Sequence, residues 1–202
     1  MKQILLTGFE PFGKWQVNPT QVAVEKLDGM QLPGCEVVGR VIPLRYQEIR
    51  PTITKYIEEI DPVAVIMTGQ AGGNQIRLEQ VAHNLADARI PYNCGSKPSE
   101  EILILNGSEL HHSSLPLDRI LEALKSMKIP VRYSDDAGRF GCNQIFYQVR
   151  ELYPALPAGF IHVPLLPDQT EKKEFMEQDM ITIAIETVVR TVATTMQLEL
   201  HS

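Results

Sequence analysis

This sequence predicts an α/β fold, with a mainly parallel twisted sheet covered by helices on both faces. Two patterns carry the prediction. Short runs rich in β-branched residues alternate along the chain with segments whose apolar residues recur at helical spacing. One of those runs, Val63-Ala64-Val65-Ile66-Met67-Thr68, is unbroken, as expected of a strand covered on both faces. The chain has 202 residues, 44% hydrophobic and 22% charged, which is ample for a sizeable core. No linker, internal repeat or low-complexity segment divides it, so residues 1–202 are expected to form a single domain.

Taken in order, residues 3–7 read as a first strand stopped by Gly8. The loop Gly8-Phe9-Glu10-Pro11-Phe12-Gly13 then places two aromatics where polar residues are usual, either to plug a local cluster or to wall a pocket. Asn18-Pro19 suits a helix start, with Asn18 as cap and Pro19 in the first turn. Val22, Ala23 and Leu27 share one face of that helix, and Gly29 suits its end. Residues 36–42 read as a strand ended by Pro43. Ile49, Ile53, Tyr56, Ile57 and Ile60 mark a helix over 46–60, which Pro51 either begins or kinks.

After the strand at 63–68, Gly69-Gln70-Ala71-Gly72-Gly73 reads as a glycine-rich turn. No helix follows in register, which weakens a phosphate cradle and leaves a turn exposing backbone groups to a small ligand. Residues 76–82 alternate in part like a strand, 87–99 are rich in turn formers, 102–105 have strand character and 107–116 form a polar loop. His111 and His112 are adjacent, so their rings diverge; they read as solvent-exposed, and no metal site is expected. A helix over 118–127 turns Ile120, Leu121 and Leu124 inward, and 131–134 is a strand. Residues 142–152 form a helix with Ile145, Phe146, Val149 and Leu152 on its apolar face. A strand at 159–164 precedes a long helix over 173–197, with Met176, Met180, Ile183, Ala184, Val188 and Val192 facing inward.

A net charge of −6 without a basic cluster argues against general nucleic-acid binding. The first residues lack a signal-peptide pattern, and no apolar run approaches a membrane span. Three cysteines, Cys35, Cys94 and Cys142, stand far apart without CxxC spacing. That pattern favours neither a disulfide framework nor zinc, and it fits a reducing cytoplasm.

The chemistry converges on one stretch. The loop Ser134-Asp135-Asp136-Ala137-Gly138 delivers Cys142 to the first turn of a helix. Free backbone N–H groups and the positive end of the helix dipole favour thiolate there. An isolated cysteine is also a common core residue. His162 closes the next strand, and the Gly69–Gly73 turn follows a third, so one sheet edge could gather a thiol and an imidazole. A strand-end histidine is often structural, and spacing by itself assigns Glu79 no role.

Thr7-Gly8-Phe9-Glu10-Pro11-Phe12-Gly13 with Asn18-Pro19 resembles the N-terminal signature of the pyroglutamyl-peptidase I (pyrrolidone carboxyl peptidase) family. The stretch from Gly69 to Gly73 on to Glu79, Asp87-Ala88-Arg89-Ile90-Pro91, Ser134 to Gly138, Cys142-Asn143 and Phe160-Ile161-His162-Val163-Pro164 resemble its other blocks, in the same order. The resemblance implies a three-layer α/β/α sandwich of the phosphorylase/hydrolase-like type. It implies a cytosolic cysteine peptidase, needing no cofactor or metal, that removes N-terminal pyroglutamate from peptides and assembles as a homotetramer. Cys142 would be the nucleophile, His162 the general base and acid, and Glu79 the carboxylate that orients it. Phe9, Phe12 and Ile90 would form an apolar slot, Gln70 would serve the lactam, and Arg89 would assist. Gly141 is a departure, because the family usually carries a branched apolar residue directly before the cysteine. Two other readings stand beside this one: a cysteine hydrolase of another small amide, and a non-catalytic nucleotide-binding α/β module.

Overall fold

A computed structural model describes residues 1–199, with side chains through Met196. Its centre is a seven-stranded sheet in the order β2-β3-β1-β4-β9-β5-β8. The strands are β1 (Lys2–Phe9), β2 (Gln31–Leu32), β3 (Cys35–Ile42), β4 (Ala64–Gln70), β5 (Ile76–Glu79), β8 (Val131–Ser134) and β9 (Ala158–Val163). A separate antiparallel pair joins β6 (Val81–His83) to β7 (Leu110–His112). The helices are α1 (Pro19–Leu27), α2 (Tyr46–Ile60), α3 (Leu117–Ser126), α4 (Gly141–Leu152) and α5 (Gln178–Glu199), with a 3₁₀ turn at Pro167–Gln169.

The helices divide cleanly between the two faces. Side chains alternate across a strand, so Ile4, Leu6, Ile66 and Ile161 point to the face covered by α1, α3 and α5. Leu5, Val65, Met67 and Phe160 point to the other face, covered by α2 and α4. The three-layer α/β/α arrangement follows from these two clusters.

Strand direction holds one surprise. β3, β1, β4 and β9 are mutually parallel, but β5 pairs antiparallel with β9 and parallel with β8. The last two strands therefore run against these four, as does the short β2 at the other edge. Pairing direction depends on which strand ends meet in space, and no local pattern encodes it.

Local patterns located most elements. Asn18 caps α1, its side chain accepting from the Thr20 N–H at 3.0 Å, with Pro19 at the first position. α2 starts at Tyr46 and runs on through an exposed Pro51. Elsewhere the structure corrects the expectations. β1 continues through Gly8 to Phe9, because β3 pairs with it to the end. Gly69 and Gln70 belong to β4, so the turn begins only at Ala71. Residues 102–105 are not a strand: Leu103 and Ile104 turn inward while Ile102 and Leu105 stay exposed. The strand of this region is β7, formed within the expected loop.

α4 is buried along most of its length, not on one stripe, and Leu152 lies at its exposed end. α5 begins five residues later than expected. Its inward stripe is Ile181, Ala184, Ile185, Val188, Val189 and Val192, and Met180 and Ile183 are exposed. That helix is apolar around most of its girth, so spacing alone allowed more than one inward face.

Candidate active site

β4 and β9 end side by side, with Gly69 directly opposite His162 in the pairing. Over Gly69 lies the sulfur of Cys142. A β-carbon on Gly69 would come within 2.8 Å of Cys142 Sγ and 2.8 Å of Phe160 Cζ. Only a residue without a side chain leaves the sulfur room to settle onto the sheet. The His162 imidazole rises from the strand adjacent to the one on which the thiol rests.

The third member comes from the reversed strand. Across β5 and β9, Arg77 faces His162 and Glu79 faces Phe160, on the same side of the sheet. Glu79 is completely buried, and His162 Nδ1–H donates to its Oε1 at 2.7 Å. That bond leaves Nε2 as the nitrogen available to the cleft. Arg77 Nε stands 3.8 Å from the same Glu79 oxygen. Burial pulls the His162 imidazole below its ordinary value of 6.5, opposed by the hydrogen bond and charge of Glu79. Burial also pushes the Cys142 thiol up to about 12, with the Glu79 charge adding and Arg77 opposing. Both shifts favour the uncharged thiol and imidazole, and passing the thiol proton to the imidazole forms two opposite charges side by side.

α4 is set up to receive charge at its start. Its first turn has no acidic residue and Phe140 provides no side-chain cap, so N–H groups there are left to the site. The Cys142 N–H bonds toward its own sulfur and opposes the upward push on the thiol. The polar residues that follow act as struts. Asn143 donates to the carbonyls of His83 and Leu85, each at 2.9 Å, and accepts from the His83 N–H at 2.8 Å. Gln144 donates to Tyr46 O at 2.7 Å and accepts from the Tyr92 hydroxyl at 3.1 Å. These bonds hold the helix that carries Cys142 in one register.

The cleft, of about 770 Å³, is lined by Gln70, Arg77, Arg89, Ile90, Phe140, Cys142 and His162, together with Asp87 and the loop from Asp136 to Arg139. Gln70 is buried, and both polar atoms of its amide lack a protein partner. The two aromatics of the first loop stand elsewhere. Phe9 is core, and Phe12 packs behind Phe140 with ring centroids 6.0 Å apart. Phe140 is the aromatic that faces the cleft, and it packs tilted against Tyr92 with ring centroids 4.2 Å apart. Neither Phe9 nor Phe12 lines the cleft as expected; the aromatic there is two places before the cysteine. Sequence reasoning also missed Arg77. The alternation of residues 76–82 could have found it, because that period puts Arg77 on Glu79's side of the strand.

Among the described residues, no group of three or more His, Cys, Asp or Glu is placed to hold a metal ion. His111 is half-buried against Tyr147 and bonded to Glu151, whereas only its neighbour His112 is exposed.

Comparison with known proteins agrees with this architecture. A family model described as pyroglutamyl peptidase matches residues 2–201. A pyrrolidone-carboxylate peptidase of Vibrio campbellii is 42% identical over 172 residues, covering 84% of this chain and 81% of that one. The crystal structure of pyroglutamyl peptidase I from Bacillus amyloliquefaciens superposes with a TM-score of 0.90 at 36% identity, over 96% of this chain and 98% of that one. The pyrrolidone carboxyl peptidase of Thermococcus litoralis gives 0.93 at 33% identity, over 98% and 96%. This chain belongs to the pyroglutamyl peptidase family.

Proposed function

We infer that this protein is a cysteine-type peptidase that hydrolyses the amide bond after an N-terminal pyroglutamyl residue. The observation that carries the inference is the meeting of Cys142 and His162 at one cleft, with Glu79 bonded behind His162, in a chain that the family matches over residues 2–201. Residues 1–202 act as one catalytic unit.

Cys142 Sγ attacks the pyroglutamyl carbonyl carbon while its proton passes to His162 Nε2. The new S–C bond places negative charge on the carbonyl oxygen, which accepts from the Cys142 N–H at the open helix start, with Arg89 assisting. The intermediate collapses as the C–N bond breaks, and His162 gives its proton to the departing amine. Water, deprotonated by the same imidazole, then cleaves the thioester and releases pyroglutamate. Glu79 keeps Nδ1 protonated throughout and stabilises each imidazolium that forms.

Pyroglutamate has no free ammonium, so its pocket needs a flat apolar wall and partners for one lactam N–H and one C=O. Phe140 and Ile90 supply the wall, with Phe12 behind. The unpartnered amide of Gln70 matches the lactam's donor and acceptor. A substrate without the lactam oxygen leaves that amide buried and unpaired, at a cost of about 1–3 kcal/mol.

The reading includes a cytoplasmic site of action, with Cys35, Cys94 and Cys142 all free. It also includes a homo-oligomer, a tetramer by family resemblance, to which the exposed Met180 and Ile183 of α5 contribute apolar surface. Among the described residues no helix is long and apolar enough to cross a membrane.

Release of a chromophore from a pyroglutamyl amide by wild type and Cys142→Ser tests the proposal. Wild type is expected to turn over and Cys142→Ser to be inactive. A silent wild type sinks the peptidase reading, and an active serine variant sinks the mechanism.

A further inference from the structure

Beside the catalytic cleft is a second cavity of about 510 Å³, and Leu85 and Arg139 line both. Its outer wall is a loop with an unusual distribution of apolar residues. Leu103 and Ile104 are packed toward α4, and Ile104 is clamped to Asn84 by two hydrogen bonds, N–H to Oδ1 at 2.9 Å and Nδ2 to the carbonyl at 2.8 Å. With those two fixed inward, Ile102 and Leu105 are held outward over the cavity, 57% and 81% exposed. Scattered apolar residues on a surface need no explanation. A pair presented by a clamped loop over a cavity next to an active site marks a contact surface.

The inner wall is tied to the nucleophile. His83 and Leu85 are the residues whose backbone Asn143 holds, and Asn143 directly follows Cys142. The two cavities therefore keep a fixed offset. A substrate bound at Cys142 must send the rest of its chain out on the leaving-amine side, and an extended chain advances about 3.3 Å per residue. Leu85 and Arg139 line both cavities, so an extended chain leaving the catalytic cleft past them enters the second one within a few residues.

We propose that this groove binds the substrate's own chain beyond the scissile bond. Ile102 and Leu105 receive an apolar side chain two or three places after pyroglutamate, and Arg139, whose Nη1 donates to Asp136 and the Gly138 carbonyl, offers its remaining N–H groups to the intervening carbonyls. The proposal rests on the peptidase function above. It makes the enzyme selective for peptide sequence at a distance from the residue it removes.

The test compares three substrates: a pyroglutamyl chromogenic amide, which ends at the scissile bond, and two pyroglutamyl tetrapeptides with Leu or Ser at the third and fourth positions. Wild type should favour the Leu peptide. Leu105→Ser and Ile102→Ser should each lower kcat/KM for the Leu peptide about five- to tenfold, mainly through KM. The same variants should leave the chromogenic amide within about twofold of wild type, since neither residue touches the chemistry. Equal effects on all substrates, or none on any, overturn the proposal. So does a fall in sedimentation mass on Leu105→Ser with all substrates treated alike, which assigns the surface to a second copy of the chain. Failure of wild type on every substrate overturns the peptidase reading instead.

Discussion

Gly141 and Leu44 share one space. A β-carbon on Gly141 would sit 2.4 Å from Leu44 Cδ1, with Ile49 Cδ1 at 3.4 Å next in line. Leu44 is fully buried and reaches over the residue that precedes Cys142. The space beside Gly141 is therefore filled from the opposite side, by a side chain on the segment entering α2.

This pairing predicts coupling. Gly141→Val should destabilise by about 1–3 kcal/mol through overpacking, and Leu44→Ala by about 2–5 kcal/mol through a cavity. The double variant should cost less than the sum by at least about 1 kcal/mol. Urea denaturation of the four proteins measures it, and strict additivity would mean that the two positions do not exchange volume.

At Gly69 the expected effect falls on rate. Alanine there must displace Cys142 Sγ or the Phe160 ring, and a misplacement of about 1 Å at a reacting atom costs about a hundredfold. Gly69→Ala should lower kcat by that order with the fold retained by circular dichroism. Unimpaired turnover would mean that the sulfur reacts from some other position.

The pH profile follows from burial at His162. The base must be neutral to accept the thiol proton, and its value lies below the ordinary 6.5. The acid limb of kcat/KM should accordingly lie below 6.5. Removing the Glu79 charge removes support for imidazolium, so Glu79→Gln should shift that limb further down while kcat falls about 10⁴-fold. A limb at or above 6.5 in wild type, or one that rises in the variant, contradicts the assignment.

Gln70 should separate function from stability. Its amide is buried without a protein partner, so Gln70→Met removes an unpaired polar group from the folded enzyme and should leave stability unchanged or higher. If the amide serves the lactam, kcat/KM for a pyroglutamyl amide should fall about 5- to 150-fold. Loss of stability together with full activity would assign Gln70 to the scaffold.

What the sequence made legible was whatever depends on neighbours along the chain. The cap at Asn18, the span of α2 and the arrival of Cys142 in the first turn of α4 are local facts, and all three are present. The motif resemblance added Glu79, whose pairing with His162 no spacing rule reaches. Hidden from view was whatever depends on who meets whom. The reversal of β5 and β8, the choice of Phe140 over Phe9 and Phe12 as the cleft's aromatic, and the fit of Leu44 over Gly141 are set by packing across the sheet. The apolar residues of 102–105 misled because a clamped loop can bury alternate residues without being a strand.

Strand order also sets a schedule. β5 carries Glu79 early in the chain, yet both of its sheet neighbours, β9 and β8, come later, and the Glu79–His162 bond closes a loop of 83 positions. Contacts of such separation form late because loop closure must precede them. During refolding from denaturant, the helical signal should therefore recover ahead of turnover; recovery of both in one shared phase would argue otherwise. A chain emerging from the ribosome presents Glu79 earlier than His162 by 83 positions, so the carboxylate stays without its imidazole until β9 completes the sheet.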